Sequence, residues 1–227
     1  MKTFQNSSFR FRHAAKVGAL VCAIASTGFL VQAQSTPPQS APESSAATLI
    51  GNEPNAISLP AREFVQEASQ ANQTEIAMAN VVESRSTNDS VKEFARMMRN
   101  DHQKNFAELQ ALAQSHAMVV DSALSPINQH AVNKLQKTSD GNLDKEYAKV
   151  MLKDHVKTIK RFDKASAEIS EPYLKTYAQN TLPALRTHLQ HAEDTARAAG
   201  VDESTISSIL KSLPGDEAQR AVTFNQN

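Results

Sequence analysis

A chain of 227 residues has room for one ordinary domain with appendages. Its 24 Lys+Arg balance 24 Asp+Glu and it has no Trp, so neither a basic stripe nor an aromatic platform is expected, which argues against nucleic acid as a partner. A single cysteine excludes a disulfide framework, and six glycines in the whole chain leave no phosphate-cradling loop.

Residues 1–33 read as a signal peptide. Lys2, Arg10, Arg12 and Lys16 form a basic start, Val17 to Val31 is a short apolar run, and Val31-Gln32-Ala33 places small residues where a signal peptidase cuts. The run is shorter than the roughly 20 residues of a spanning helix, and cleavage after Ala33 is the expectation; an uncleaved anchor is the other reading. Val21 before Cys22 lacks the small side chain of a lipidation site. Removal would take four basic residues and no acidic one, leaving a net charge of about minus four on an exported, thiol-free chain. Residues 34–59, with Pro37, Pro38, Pro42 and Pro54 among Ser, Ala and Gln, read as a flexible linker.

From residue 60 the texture becomes helical. The first helix is predicted from Pro60 to about Ser84, with Phe64, Ala68, Ala71, Glu75, Met78 and Val82 on its inner face. After a turn at residues 86–90, capped by Asp89 or Ser90, a second helix carries Val91, Phe94, Met98, His102, Phe106 and Leu109 inward to about Met118. A shorter helix spans Pro126 to Lys137, and Ser139-Asp140-Gly141-Asn142 breaks it. The third long helix, Leu143 to Ser170, turns Tyr147, Met151, His155, Ile159, Phe162 and Ile169 inward. Glu171-Pro172 restarts the chain, and the fourth turns Leu174, Ala178, Thr181, Leu185, His188 and Ala192 inward before Gly200, with a kink expected at Pro183. A short helix from Asp202 to Leu213 and a polar tail occupy residues 201–227.

Four long amphipathic helices predict an all-α domain over residues 60–200. Short connections after helices one and three make each pair an antiparallel hairpin. The intervening short helix, roughly 18 Å long at 1.5 Å per residue, returns the chain along the bundle. That is a ferritin-like four-helix bundle with a helical crossover between helices two and three.

Each long helix places one strong ligand on its apolar stripe: Glu75, His102, His155 and His188. A carboxylate and imidazoles on facing helices are a known way to build a metal site, and such groups are costly to bury alone. Met98 and Met151 lie one turn before His102 and His155. Thioether with imidazole suits copper(I); Glu with three His suits zinc, iron or manganese. The bland alternative makes the methionines core filler and the histidines hydrogen-bonded core residues. Asp101 and Asp154 point about 100° away from the stripe, and each has a lysine three residues on, Lys104 and Lys157, so surface ion pairs account for them. His191 faces either the site or the surface; His116 and His130, near helix ends, are expected to be exposed. With no Gly-x-Ser-x-Gly, nothing supports hydrolase chemistry, and an enzyme is not the favoured reading.

The run Val91-Lys92-Glu93-Phe94-Ala95-Arg96-Met97-Met98-Arg99-Asn100-Asp101-His102 follows Phe64 and Glu75-Ile76. It is echoed by Tyr147, Met151 and Asp154-His155, and followed by Leu182-Pro183-Ala184-Leu185-Arg186-Thr187-His188-Leu189. Over residues 60 to 200 this resembles the exported bacterial family called domain of unknown function 4142, whose members are labelled outer-membrane or periplasmic proteins and regarded as ferritin-like. The resemblance implies the fold and export, and no established activity. The residues three before His102, His155 and His188 are Arg99, Leu152 and Leu185, not the Glu of the Glu-x-x-His pairs of di-iron ferritins, so a carboxylate-bridged di-iron centre is not expected. Two readings follow: an exported bundle holding one metal ion between its helices, or a non-catalytic structural or stress-related envelope protein.

Overall fold

The computed structural model describes residues 57–213; the expected signal peptide, most of the linker and the end of the polar tail lie outside them. Within the described residues all regular structure is helical: α1 (Leu59–Arg85), α2 (Asp89–Ser115), α3 (Pro126–Gln136), α4 (Asp140–Glu168), α5 (Pro172–Ala198) and α6 (Glu203–Leu210). The four long helices pack as a bundle. The most extensive contacts are α1 with α2 and α4 with α5, the pairs joined by the short connections 86–88 and 169–171, while α1 meets α4 and α2 meets α5 across the core. α3 lies against α1 and α4.

Helix starts follow local hydrogen bonding. Ser58, Asn88, Ser125 and Asp202 each accept a bond from a first-turn backbone N–H, and Pro60, Pro126 and Pro172 stand in first turns, where a missing N–H costs nothing. The cap of α2 is Asn88 rather than Asp89 or Ser90; its Oδ1 accepts from Ser90 and Val91. α4 starts at Asp140 rather than Leu143, because Gly141 and Asn142 are absorbed into its first turn. Arg85, ending α1, holds that junction through the carbonyls of Gln136 and Thr138 and through Asp140.

Two helices end in the same motif with different residues. At the end of α5, Val201 N–H donates to Ala196 and Gly200 N–H to Arg197, with Gly200 at φ +78°. At the end of α2, Met118 N–H donates to Ala113 and Ala117 N–H to Gln114, with Ala117 at φ +55°. No glycine marks that stop, so the apolar pattern reads on to Met118. An alanine there bears left-handed strain that glycine does not. Ala117→Gly is therefore expected to stabilise the protein by about 0.5–1 kcal/mol, measured as a higher urea midpoint at unchanged m-value.

The core is continuous from Phe64, Phe162 and Tyr177, whose rings lie 5.0–6.3 Å apart, to Phe94 and Tyr147 at 5.9 Å. Against the expectation of no basic stripe, α4 exposes Lys153, Lys157 and Lys160 on its outer side, along a groove shared with α6.

Candidate metal centre

The inward stripes bring Glu75 from α1, His102 from α2, His155 from α4 and His188 from α5 to one place in the middle of the bundle. All four are buried, Glu75 and His155 to 1 % and 0 % exposure. The imidazole rings form a nearly equilateral triangle with centroid separations of 5.8, 5.4 and 5.5 Å, and one nitrogen of each lies within 4.8 Å of the others. Glu75 Oε2 is 2.9 Å from His102 Nε2 and 3.7 Å from His155 Nε2.

Each ring's outer neighbour decides which nitrogen faces that centre bare. His155 Nδ1 lies 2.9 Å from the Met151 carbonyl, which can only accept, so Nδ1 carries the proton. The Asn72 carboxamide is oriented by donation from Nδ2 to the Ala68 carbonyl at 3.0 Å, which turns Oδ1 to His102 Nδ1 at 2.8 Å as an acceptor. His188 Nε2 donates to Asp101 Oδ2 at 3.0 Å. A neutral imidazole has one donor and one acceptor, so His102 Nε2, His155 Nε2 and His188 Nδ1 remain as lone pairs. His155 Nε2 and His188 Nδ1 are buried without a hydrogen-bond partner, while His102 Nε2 and Glu75 Oε2 lie against each other. With neutral rings, the 2.9 Å approach of His102 to Glu75 sets acceptor against acceptor.

The electrostatics disfavour a charge on two of the rings, His155 and His188. Burial pushes His155 below the usual imidazole value despite the pull of Glu75, and burial followed by His102 and His155 brings His188 down to about 4. Burial by itself would raise the Glu75 carboxyl; the imidazoles, His102 first, outweigh it and hold it at about 2. At neutral pH a carboxylate thus faces at least two uncharged rings with free lone pairs, the state in which these groups bind metal. Leaving a buried polar atom unpaired costs about 1–3 kcal/mol, and His155 Nε2 and His188 Nδ1 are two such atoms in one cluster of imidazoles.

A polar network backs the centre from one side. Asn72 Nδ2 and Tyr177 Oη both donate to Asn105 Oδ1, at 2.9 and 2.7 Å, linking α1, α2 and α5 behind His102. Asn72 and Asn105 escape a search for apolar periodicity. The buried polar position one turn before Glu75 is Asn72, while Ala71, expected inward, is half-buried. Met98 and Met151 are fully buried in the hydrophobic core one turn from their histidines, and it is the Met151 carbonyl that orients His155.

The aspartates depart from the expected surface pairs. Among the described residues neither Asp101 with Lys104 nor Asp154 with Lys157 forms an ion pair. Asp101, half-exposed, reaches across to α5 because His188 presents a ring N–H at the bundle surface. Asp154 is partly buried, and burial together with Glu75 pushes its carboxyl up to about 7. His191 and His130 are exposed, and His116 stacks on Tyr173 with ring centroids 3.4 Å apart.

A cleft of about 290 Å³ between α1 and α4 is lined by Glu75, Asp154, Thr74, Ala71, Lys157 and Arg161 among others. No described helix is long and apolar enough to cross a membrane.

A family model described as "Domain of unknown function (DUF4142)" matches residues 46–195. No curated protein matches the chain. Among solved structures, the crystal structure of a DUF305 fragment from Deinococcus radiodurans is similar with a TM-score of 0.55 at 14 % identity, over 63 % of this chain and 98 % of that one. At that identity the likeness is one of fold alone.

Proposed function

The chain belongs to the family of the domain of unknown function DUF4142, and from that premise and the geometry of its core we propose that it holds a single transition-metal ion between its four long helices. The observation that carries this reading is the convergence of three buried imidazoles, one nitrogen of each within 4.8 Å of the others, with Glu75 Oε2 at 2.9 and 3.7 Å from two of them. Outer hydrogen bonds to Asn72, the Met151 carbonyl and Asp101 set all three tautomers, the arrangement that metal-bound histidines ordinarily show. Three imidazoles and a carboxylate without thiolate suit zinc, iron or manganese better than copper(I). Ligands about 2.0–2.1 Å from one ion stand roughly 3.3 Å apart in a tetrahedron, so the imidazole nitrogens, within 4.8 Å of one another, would draw together around an ion.

The bundle is read as ferritin-like, with α3 and its flanking loop as the crossover between α2 and α4. It is also read as exported, with residues 1–33 removed and the protein in the periplasm or cell envelope. Its role is binding and handling of the ion rather than catalysis.

The full chain, purified without an affinity tag and treated with chelator, is expected to take up close to one equivalent of Co²⁺ or Zn²⁺ by metal analysis after gel filtration. The double variant His102→Ala, His155→Ala is expected to take up none. Wild-type protein that stays metal-free would end this reading.

A second reading rests on the 2.9 Å approach of His102 to Glu75. If His102 carries two protons, the pair is a buried salt bridge and the site a purely structural element of an envelope protein. Chelator and added metal then leave stability unchanged, and a full set of protons on His102 is visible by ¹⁵N NMR at neutral pH.

A further inference from the structure

The centre is sealed on most sides by core residues, yet Glu75, 1 % exposed, is also a wall of the cleft between α1 and α4. Its carboxylate joins the cleft to the centre, since Oε2 lies 2.9 Å from His102 Nε2 and 3.7 Å from His155 Nε2. Nearer the solvent stands Asp154, partly buried and free of any ion pair with the lysines on its own helix, although Lys157 also lines the cleft. Arg161, the other cation there, is neutralised by Glu67 at 2.5 Å. Two carboxylates in series, one at the inner end and one on the wall, give a dehydrating cation successive oxygen ligands between water and the imidazoles.

We propose that the cleft between α1 and α4 is the route by which a divalent cation enters the three-histidine centre, and that Asp154 is a transient station on it which hands the ion to Glu75. This rests on the metal-binding reading above. A station on the path lowers the barrier in both directions, so its loss slows binding and release alike and leaves the equilibrium nearly untouched. A ligand of the final site behaves otherwise, because its loss raises Kd. Lys157 at the mouth opposes an approaching cation, so its removal acts in the opposite direction.

The test is stopped-flow absorbance of Co²⁺ binding to the metal-free full chain, with Kd from competition against a chromophoric chelator. Asp154→Asn is expected to lower both the association and dissociation rates at least tenfold, with Kd within threefold of wild type. Asp154→Glu restores most of the rate. Ala71→Leu, which fills the cleft without removing a charge, slows entry as well, and Lys157→Ala speeds it. Wild-type rates in both Asp154→Asn and Ala71→Leu would overturn the proposal. So would a rise in Kd that matches the fall in association rate, since Asp154 would then belong to the bound state. Absence of Co²⁺ binding to wild-type protein strikes at the centre itself and is read separately at equilibrium.

Discussion

Saturating zinc should raise the thermal unfolding midpoint of the metal-free protein by roughly 10 °C, and His155→Ala should abolish the rise. An ion that binds only the folded chain stabilises it by about 4 kcal/mol at a thousandfold excess over Kd, and for a domain of this size each kcal/mol moves the midpoint roughly 2–4 °C. The gain has a local source. In the metal-free core, His155 Nε2 and His188 Nδ1 are buried without a hydrogen-bond partner, and the proposed ion would give each of them one. Asp101→Ala should leave the folded protein intact yet weaken zinc by about 10–100-fold, because His188 loses the carboxylate that holds its proton on Nε2. Differential scanning calorimetry with and without zinc checks both. Equal midpoints for wild type in zinc and in chelator would favour the salt-bridged core instead.

The parts of this molecule legible in the sequence are those governed by a 3.6-residue period. Glu75, His102, His155 and His188 each interrupt an apolar stripe, so their inward direction follows from helix register, while their meeting at one level is set by how the helices pack. Helix ends are less legible where an unusual residue does the work. Ala117 closes α2 in a conformation that normally announces itself as glycine, and Asn88 caps where Asp89 and Ser90 were equally plausible. The groups that orient the imidazoles are harder still. Asn72 lies on the buried stripe between Ala68 and Glu75, but as a polar residue it gives no apolar signal there, and Ala71 is read inward in its place. Asp101 has a lysine at helical spacing that accounts for it locally. Its actual partner, His188, is 87 residues away, and only the packing of α2 against α5 reveals it. Local chemistry offered each aspartate a sufficient partner; tertiary geometry gave Asp101 a better one in His188 and placed Asp154 beside Glu75 instead.

The contrast between the two aspartates carries a thermodynamic prediction: in metal-free protein, Asp154→Asn should increase stability at pH 8 by on the order of 1–2 kcal/mol, and the gain should vanish below about pH 4. The Asp154 carboxyl titrates near 7 in the fold and at its ordinary 3.8 when unfolded. Between those values the folded chain holds the extra proton, so stability from this group falls as pH rises through the window and the penalty is complete above 7. The full shift would correspond to about 4 kcal/mol. Water in the cleft and the neighbouring Lys153 and Lys157 reduce what is realised.

His188 and His155 act in the opposite direction, since their folded values lie below the ordinary 6.5. The unfolded chain then takes the proton first, and stability is lost as pH falls from 6.5 toward 4. Glu75, ordinarily 4.5 and here about 2, extends the loss below pH 4.5. In wild type the aspartate and the histidines offset one another between pH 4.5 and 6.5. Removing Asp154 exposes the histidine dependence, so urea unfolding across pH 4–8 should show a steeper rise with pH in Asp154→Asn than in wild type. A variant less stable than wild type at pH 8 would show that the carboxylate is held by favourable contacts in the fold. The expected gain describes a residue that costs the metal-free fold stability, as a carboxylate does when it is kept beside an anionic Glu75 for a cation to visit.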